Sequence, residues 1–125
     1  MPLAKSYKDL NVYRNAMEAA FEIFTITKGF PSEEKYSMTD QIRRSSRSVC
    51  ANLAEAWRKR RYKAAFIAKL SDAESEAAET QSWIAIADKC GYLSESFVVS
   101  MNDRYDHIMS QITLMIDTVD SWLIS

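Results

Sequence analysis

Positively charged side chains concentrate in one stretch of the chain, and their type and spacing suit the binding of phosphate. Residues 43–63 carry eight cations against one acid, Glu55, which gives this stretch a net charge of +7. Arginine binds phosphate through a planar fork of donors and stacks on bases, and Tyr62 adds an aromatic surface among the cations. The candidate nucleic-acid-binding residues are Arg43, Arg44, Arg47, Arg58, Lys59, Arg60, Arg61 and Lys63.

The rest of the chain balances this charge. The 16 Lys and Arg against 17 Asp and Glu give a net charge of −1, and residues 64–125 hold three cations and ten acids. Such a separation favours a basic face for an anionic partner. Two structural interpretations stay open: the basic side chains are simply solvated, or they pair with acidic helices of a neighbouring subunit. The isoelectric point near 5.8 argues against a dedicated nucleic-acid-binding domain.

Residues for catalysis or metal binding do not combine into a recognisable site. The single histidine, His107, is not preceded by Glu at the spacing of a di-metal carboxylate bundle, and Asp103 and Asp106 fall with it on an outer helix side. Phosphate loops, dinucleotide fingerprints and zinc spacings do not occur. We therefore predict no catalytic residue, no metal and no cofactor. A third interpretation, an enzyme or ligand carrier with a central pore or bundle cavity, would need convergent polar groups there.

The cysteines and the apolar runs bear on the cellular compartment. Cys50 and Cys90 lack a Cys-x-x-Cys context, and Cys50 falls on an apolar helical stripe, so we predict that it is buried. No apolar run approaches the roughly 18 residues of a membrane span, and the N-terminus lacks an apolar leader. These features predict reduced thiols, a cytoplasmic protein and no membrane association.

Residues that end helices and strands are scarce in this chain, so its secondary-structure elements must be few and long. Only 2 Gly and 2 Pro occur in 125 residues, which excludes β-sandwiches, barrels and Gly-rich nucleotide sites. Apolar periodicity predicts four helices, over about residues 9–28, 38–58, 63–90 and 95–123. Four such rods with short loops predict an all-α, antiparallel up-down-up-down four-helix bundle, with residues 1–125 as a single domain.

Cap residues mark the helix ends. Gly29 suits a left-handed cap after the first helix, and Gly91 suits the end of the third. Ser37 with Asp40 resembles an imperfect capping box before the second helix, and Ser94 is a good N-cap for the fourth.

The first helix is apolar around an unusually wide arc. One side combines Leu10, Tyr13, Met17, Ala20, Phe21 and Phe24, and we assign it to the bundle core. An ordinary surface helix has a narrower apolar face. The additional apolar residues predict a contact with sister copies of the chain. They are Val12, Ala16, Ala19, Ile23 and Ile26.

The stretch from Phe30 to Arg61 resembles the signature of the four-helix-bundle family called 23S rRNA intervening-sequence proteins. Its start matches FP-x-x-E-x-Y, its centre matches Q-I-R-R-S-x-x-S-V, and its end matches A-N-x-A-E-G except that Ala56 replaces the final Gly. The matching residues are Phe30, Pro31, Glu34, Tyr36, Gln41, Ile42, Arg43, Arg44, Ser45, Ser48, Val49, Ala51, Asn52, Ala54 and Glu55.

This resemblance implies a bundle that assembles into a ring-like homopentamer, and it implies RNA binding as a suspected role. Accessory proteins of diversity-generating retroelements are similar in fold but strongly basic, which this chain is not. The polar motif residues Arg43, Arg44, Asn52 and Glu55 have two interpretations, as intersubunit partners or as RNA contacts. Glu55 can also pair with Arg58 on one helical face.

Two functional hypotheses follow. The first is a non-enzymatic homo-oligomer whose basic second helix binds RNA, such as ribosomal RNA, mainly through phosphates. The second is a protein-interaction scaffold with an unidentified protein partner and no nucleic-acid role.

Overall fold

The computed structural model describes residues 4–125, which form four helices and no strand. They are α1 (Asn11–Thr27), α2 (Met38–Arg58), α3 (Lys63–Lys89) and α4 (Glu95–Asp117). Short 3₁₀ turns cover Tyr7–Asp9, Ser32–Glu34 and Val119–Ser121. The all-α prediction is confirmed, and α2 has the predicted bounds.

The helices form an antiparallel bundle in which α1 packs on both α2 and α4. Asn15 near the start of α1 donates to Gln111 near the end of α4 over 3.0 Å, whereas Glu22 near the end of α1 pairs with Arg104 over 2.8 Å. Because the order of contacts is reversed, α1 and α4 run in opposite directions. The same reversal links α2 with α3, and α3 with α4, through Ser45–Thr80, Glu55–Lys69, Gln81–Asp106 and Glu74–Thr113.

Two of the predicted caps are confirmed and two are wrong. Gly91 has a φ of 80° and ends α3, with the Tyr92 N–H bonded to the Ala87 carbonyl over 3.0 Å. The Ser94 side chain accepts from the Phe97 N–H and caps α4. Gly29 does not have a positive φ; α1 ends instead in consecutive i→i−3 hydrogen bonds. The Ser37 hydroxyl donates to Glu34 rather than capping α2.

The fourth helix is shorter than its apolar pattern predicts. It ends at Asp117, and the chain continues through a 3₁₀ turn in which Val119 remains buried. Trp122 and Leu123 are half-buried and pack against the core, so the apolar stripe continues although the helix does not. The Ile124 N–H bonds to the Arg60 carbonyl over 3.2 Å, which ties this end to the loop between α2 and α3.

The buried residues of α1 differ in part from those that the sequence predicts: Leu10 and Ala20 of the predicted core side are buried, but Met17 and Phe21 are exposed. Val12, Ala16, Ala19 and Ile23 are buried inside the single chain, so their predicted role in contacts between copies is wrong. The small alanines allow neighbouring helices to approach closely. Ile26 alone of that predicted set is exposed.

The rest of the core comes from buried side chains of α2, α3 and α4. Fully buried side chains include Phe66, Leu70 and Ile84 of α3, and Tyr105 and Ile108 of α4. A smaller cluster of Phe30, Met38 and Ala87 closes the end of the bundle where α2 begins. No helix within residues 4–125 is both long enough and apolar enough to cross a bilayer.

Candidate nucleic-acid interface

The eight predicted cations divide into two groups, one at each end of α2. The first group, here called the start patch, consists of Arg43, Arg44 and Arg47. The second, here called the junction patch, surrounds the loop between α2 and α3. Arg44 and Arg58 are separated by roughly 21 Å along the helix axis, at 1.5 Å per residue. The members of the junction patch are Arg58, Lys59, Arg60, Arg61 and Lys63.

Arg43 is fixed against the end of α1. Its Nε donates to Thr27 Oγ1 over 2.8 Å, and its guanidinium lies 4.8 Å from the centre of the Phe24 ring. The guanidinium of Arg47 lies 5.7 Å from the same ring. Phe24 therefore holds two arginines of the start patch side by side. Arg44 and Arg47 are exposed and make no ion pair with any residue from 4 to 125.

The start patch borders a concave surface of about 480 Å³. Lys35 and Tyr36, from the turn before α2, form one part of its wall, and the three arginines form another. Thr39 and Asp40, from the first turn of α2, also line it, and Asp40 adds a carboxylate to a surface that is otherwise basic.

In the junction patch, some cations have a partner within the chain and others are exposed without an ion pair in the described residues. Arg60 lies 3.5 Å from the centre of the Trp57 ring, and its Nε donates to the Trp57 carbonyl over 2.8 Å. Burial lowers the pKa of Arg60, and the nearby Arg58 adds a smaller repulsion. Lys63 pairs with Asp120 over 3.0 Å. Arg58, Lys59 and Arg61 are exposed and without an ion pair in the described part of the chain.

Asn52 and Glu55, two of the four polar motif residues considered as candidates for an intersubunit contact, have partners within the chain. The Glu55 carboxylate lies 3.6 Å from Lys69 of α3, so its predicted pairing with Arg58 is wrong. The Asn52 amide donates to the Ser48 carbonyl over 2.9 Å and is half-buried. Glu55 therefore subtracts little from the positive potential of α2, because Lys69 neutralises it.

Comparison with known proteins gives the family. The family model described as 23S rRNA-intervening sequence protein matches residues 8–114. The chain belongs to this family. It is similar in structure to a protein of unknown function from the S23 ribosomal protein family of Bacteroides thetaiotaomicron, with a TM-score of 0.76 and 31% identity. The match covers 85% of this chain and 95% of that chain. No curated protein matches the chain.

The first part of the family motif builds the turn before α2. Phe30 is buried and packs on Tyr92, with 5.3 Å between the ring centres. The Glu34 carboxylate accepts from the Ser37 hydroxyl over 2.7 Å and from the Tyr92 hydroxyl over 2.9 Å. These bonds lower the pKa of Glu34 and raise the pKa of Tyr92 to about 12. Tyr36, in contrast, is 85% exposed.

The centre and the end of the motif pack α2 on α3. Ser45 is buried, and its Oγ accepts from the Thr80 hydroxyl over 2.8 Å. Ala56, where the family usually has Gly, is buried in the core, and α2 continues for two residues beyond it. The family motif therefore has a structural role at most of its positions, and leaves Tyr36, Arg44, Ala51 and Glu55 exposed.

Part of the side of α1 that the sequence pattern assigns to the core is an exposed apolar surface. Phe21 is 67% exposed and Met17 is 47% exposed, and both border a concave surface with Glu18, Glu22 and Arg104. Arg104 lies 2.8 Å from Glu22 and 3.9 Å from Glu18. Val12, Ala16, Ala19, Ile23 and Thr27 follow the same helical repeat, so the small size of the two alanines, rather than the spacing, is the signal for the buried side.

The described residues do not bring candidate metal ligands together, and one of the two thiols is buried. Within residues 4–125, no three His, Cys, Asp or Glu side chains are grouped to hold a metal ion. His107, Asp103 and Asp106 are all exposed, as predicted. Cys50 is buried, and loss of solvation raises the pKa of its thiol to about 11, which keeps it protonated.

Proposed function

We propose that this 23S rRNA-intervening sequence protein binds RNA through α2, with the phosphate backbone as the main ligand. The observation that carries the proposal is the presence of five exposed cations on α2 and its following loop, none of which has an acidic partner in the described residues. They are Arg44, Arg47, Arg58, Lys59 and Arg61. No catalytic step belongs to this proposal, since neither the family description nor the solved relative names an enzymatic activity.

The separation between the two patches supports a polymer as the ligand. The start patch lies on α2, and the junction patch begins at Arg58, the last residue of α2, roughly 21 Å from Arg44 along the helix axis. A single phosphate contacts one patch only, whereas a nucleic-acid strand contacts both. Each contacted phosphate releases counterions, so the affinity should fall steeply with salt.

We further propose that the protein is a homo-oligomer and that α1 contributes the contact through its exposed side. Met17 and Phe21 form an apolar surface that a second copy would remove from water. A ring of five copies is the expectation that the family resemblance supplies. The proposed contact uses Met17 and Phe21 instead of Val12, Ala16, Ala19 and Ile23, which the sequence predicts for it but which are buried within the chain.

The RNA proposal is tested with matched charge variants. One variant replaces Arg58, Lys59 and Arg61 by Gln, and a control replaces Lys8, Arg14 and Lys89, which are also exposed and without ion pairs in the described chain. Arg60 and Lys63 are left unchanged because Arg60 already contacts Trp57 and Lys63 already pairs with Asp120. The junction variant should bind RNA more weakly, and its plot of log affinity against log salt should be shallower by about two.

The control variant should retain RNA affinity, because its three positions lie outside the two patches. Equal losses in the junction variant and in the control would mean that net charge alone governs binding. A wild-type protein that does not retain RNA at low salt would overturn the RNA proposal. Absorbance at 260 and 280 nm on a peak of known absolute mass tests bound nucleic acid and the size of the assembly together.

A second candidate function is a scaffold that contacts another protein and no nucleic acid. The apolar surface of Met17 and Phe21, bordered by Glu18, Glu22 and Arg104, favours this candidate. The two functions differ in their response to nuclease. A protein partner that remains bound after nuclease treatment and is lost with Phe21→Ala supports the scaffold, whereas a partner lost with nuclease supports RNA.

A further inference from the structure

We propose that the concave surface at the start of α2 binds one unpaired nucleotide of a single-stranded RNA. Its base stacks on Tyr36 and its phosphate contacts Arg44 and Arg47. This inference rests on the proposed RNA-binding function and adds to it a preferred class of RNA, one with accessible bases. The surface is hereafter called the nucleotide pocket, and it is bounded by Lys35, Tyr36, Asp40 and the three arginines of the start patch.

Tyr36 is the first observation behind this inference. Its neighbours in the same motif have partners inside the chain, since Phe30 is buried and Glu34 accepts two hydrogen bonds. Tyr36 is the most exposed of the large apolar and aromatic side chains in the described residues. The Lys35 ammonium lies 5.3 Å from the centre of the Tyr36 ring, so it covers at most one face of that ring. A base can therefore stack on the other face.

The second observation is that two of the three arginines beside Tyr36, Arg43 and Arg47, have contacts that hold them in place. Arg43 is bound to Thr27, and Phe24 contacts both Arg43 and Arg47. Fixed side chains lose less conformational entropy when a ligand binds. The volume of about 480 Å³ falls within the range of small-ligand sites.

The third observation is the mixed charge of the pocket. Asp40 places a carboxylate among the cations, and it repels a bare phosphate ion. A nucleotide provides both a phosphate for the arginines and N–H or 2′-hydroxyl donors for Asp40. The pocket chemistry therefore favours a nucleotide over an inorganic anion.

An unpaired nucleotide fits better than a base pair. In an RNA duplex the bases are stacked and paired inside the helix, and the protein contacts shape, 2′-hydroxyls and phosphates. Single strands expose base faces that aromatic side chains can stack on. A duplex would therefore contact the arginines without using Tyr36.

The test compares a fluorescently labelled single strand of about ten nucleotides with a duplex of the same sequence. Tyr36→Ala should weaken single-strand binding by about fivefold or more, since stacking contributes about 1–3 kcal/mol per base. Binding of the duplex should be unchanged, and so should the salt dependence, because no charge is removed. Tyr36→Phe should retain the single-strand affinity, and Ile86→Ala, which removes an exposed apolar side chain on α3 outside both patches, serves as the control.

The outcomes separate this inference from the proposed function. Unchanged single-strand binding in Tyr36→Ala, alongside weaker binding in the junction variant, overturns the pocket and leaves RNA binding intact. Equal losses for single strand and duplex also overturn the pocket, as does an altered particle mass, which would place Tyr36 in a subunit contact. Displacement of the single strand by an acidic peptide as effectively as by unlabelled RNA overturns nucleotide recognition. If the wild type binds neither RNA, both proposals fail.

Discussion

Two sets of apolar residues on α1 differ in their exposure to solvent in the folded chain. Ala16, Ala19 and Ile23 are fully buried, whereas Met17 and Phe21 are largely exposed. The exposed side contains the larger residues, so hydrophobicity by itself does not decide which side faces the core. Small residues let α1 approach its neighbours closely, and Met17 and Phe21 then remain on the outside with Glu18.

The largest effect is expected from deleting a buried side chain on α1. Ile23→Ala should lower the free energy of unfolding by about 2–5 kcal/mol, because the truncation leaves a cavity among packed neighbours. Met17→Ala removes a side chain of similar size from the exposed side and should change the stability by about 0.5 kcal/mol or less. Chemical denaturation of both variants measures the difference. Similar losses in the two variants would contradict the assignment of the two sides.

The cysteines extend the same contrast between buried and exposed positions to thiol reactivity. Cys90 is exposed, whereas the pKa of the buried Cys50 is raised to about 11 from an ordinary 9.0. A pKa that is higher by about two units leaves roughly a hundredfold less Cys50 thiolate at neutral pH. A thiol reagent should therefore modify Cys90 rapidly and Cys50 at least about a hundredfold more slowly. Cys90→Ser should abolish the rapid phase, and a remaining rapid phase would show that Cys50 is accessible.

The exposed side of α1 is expected to act on assembly rather than on the fold. If it forms the proposed contact between copies, Phe21→Ala should reduce the mass of the native particle at micromolar concentration and barely change its helical content. Ile86→Ala on α3, which is diagonal to α1, removes another exposed apolar side chain and is the control. Light scattering measures the mass, and an unchanged mass for Phe21→Ala would exclude this side as the contact.

The smallest effect is expected from the exposed hydrogen bond between Tyr92 and Glu34. The pKa of Glu34 is lowered, so its contribution to stability is present above its ordinary value of 4.5 and is lost as the pH falls through the folded-state value. The pKa of Tyr92 is raised, so its contribution is present below 10.0 and is lost as the pH rises through about 12.

Tyr92→Phe should therefore lower the melting temperature slightly at pH 7 and by less at pH 3, because the Glu34 carboxylate loses its charge as the pH falls below 4.5. Thermal unfolding of both proteins at the two pH values measures the difference. An equal difference at pH 3 would mean that the Tyr92 hydroxyl acts by a contact other than the charged carboxylate. The result bounds how much exposed polar contacts add to a fold held mainly by its buried side chains.

Local sequence features were sufficient to predict the helices. The scarcity of Gly and Pro, the helical repeat of apolar residues and the cap residues Gly91 and Ser94 predicted four rods with short loops. The predicted cap at Ser37 was wrong. The predictions for Gly29 and for the end of α4 were also wrong. In both cases the chain used i→i−3 turns, which side-chain pattern alone does not distinguish from a continuing helix.

Part of the candidate interface was also visible in the sequence. The cations on α2 were predicted by number and type, because charge is a property of the residue. The contacts that each cation makes were not predicted, since Arg43 bonds to Thr27 of α1 and Arg60 packs on the Trp57 ring. Nothing in the order of residues indicated that Lys63 meets Asp120 from the other end of the chain.

The sequence by itself determined that this protein is a helical bundle with positive charge on its second helix, because helical periodicity and charge are local properties. Tertiary structure decided which apolar side of α1 is buried, which arginines are free, and that Tyr36 lies beside them. These outcomes depend on how closely the helices approach and on contacts between residues distant in the chain, and neither is encoded at a single position.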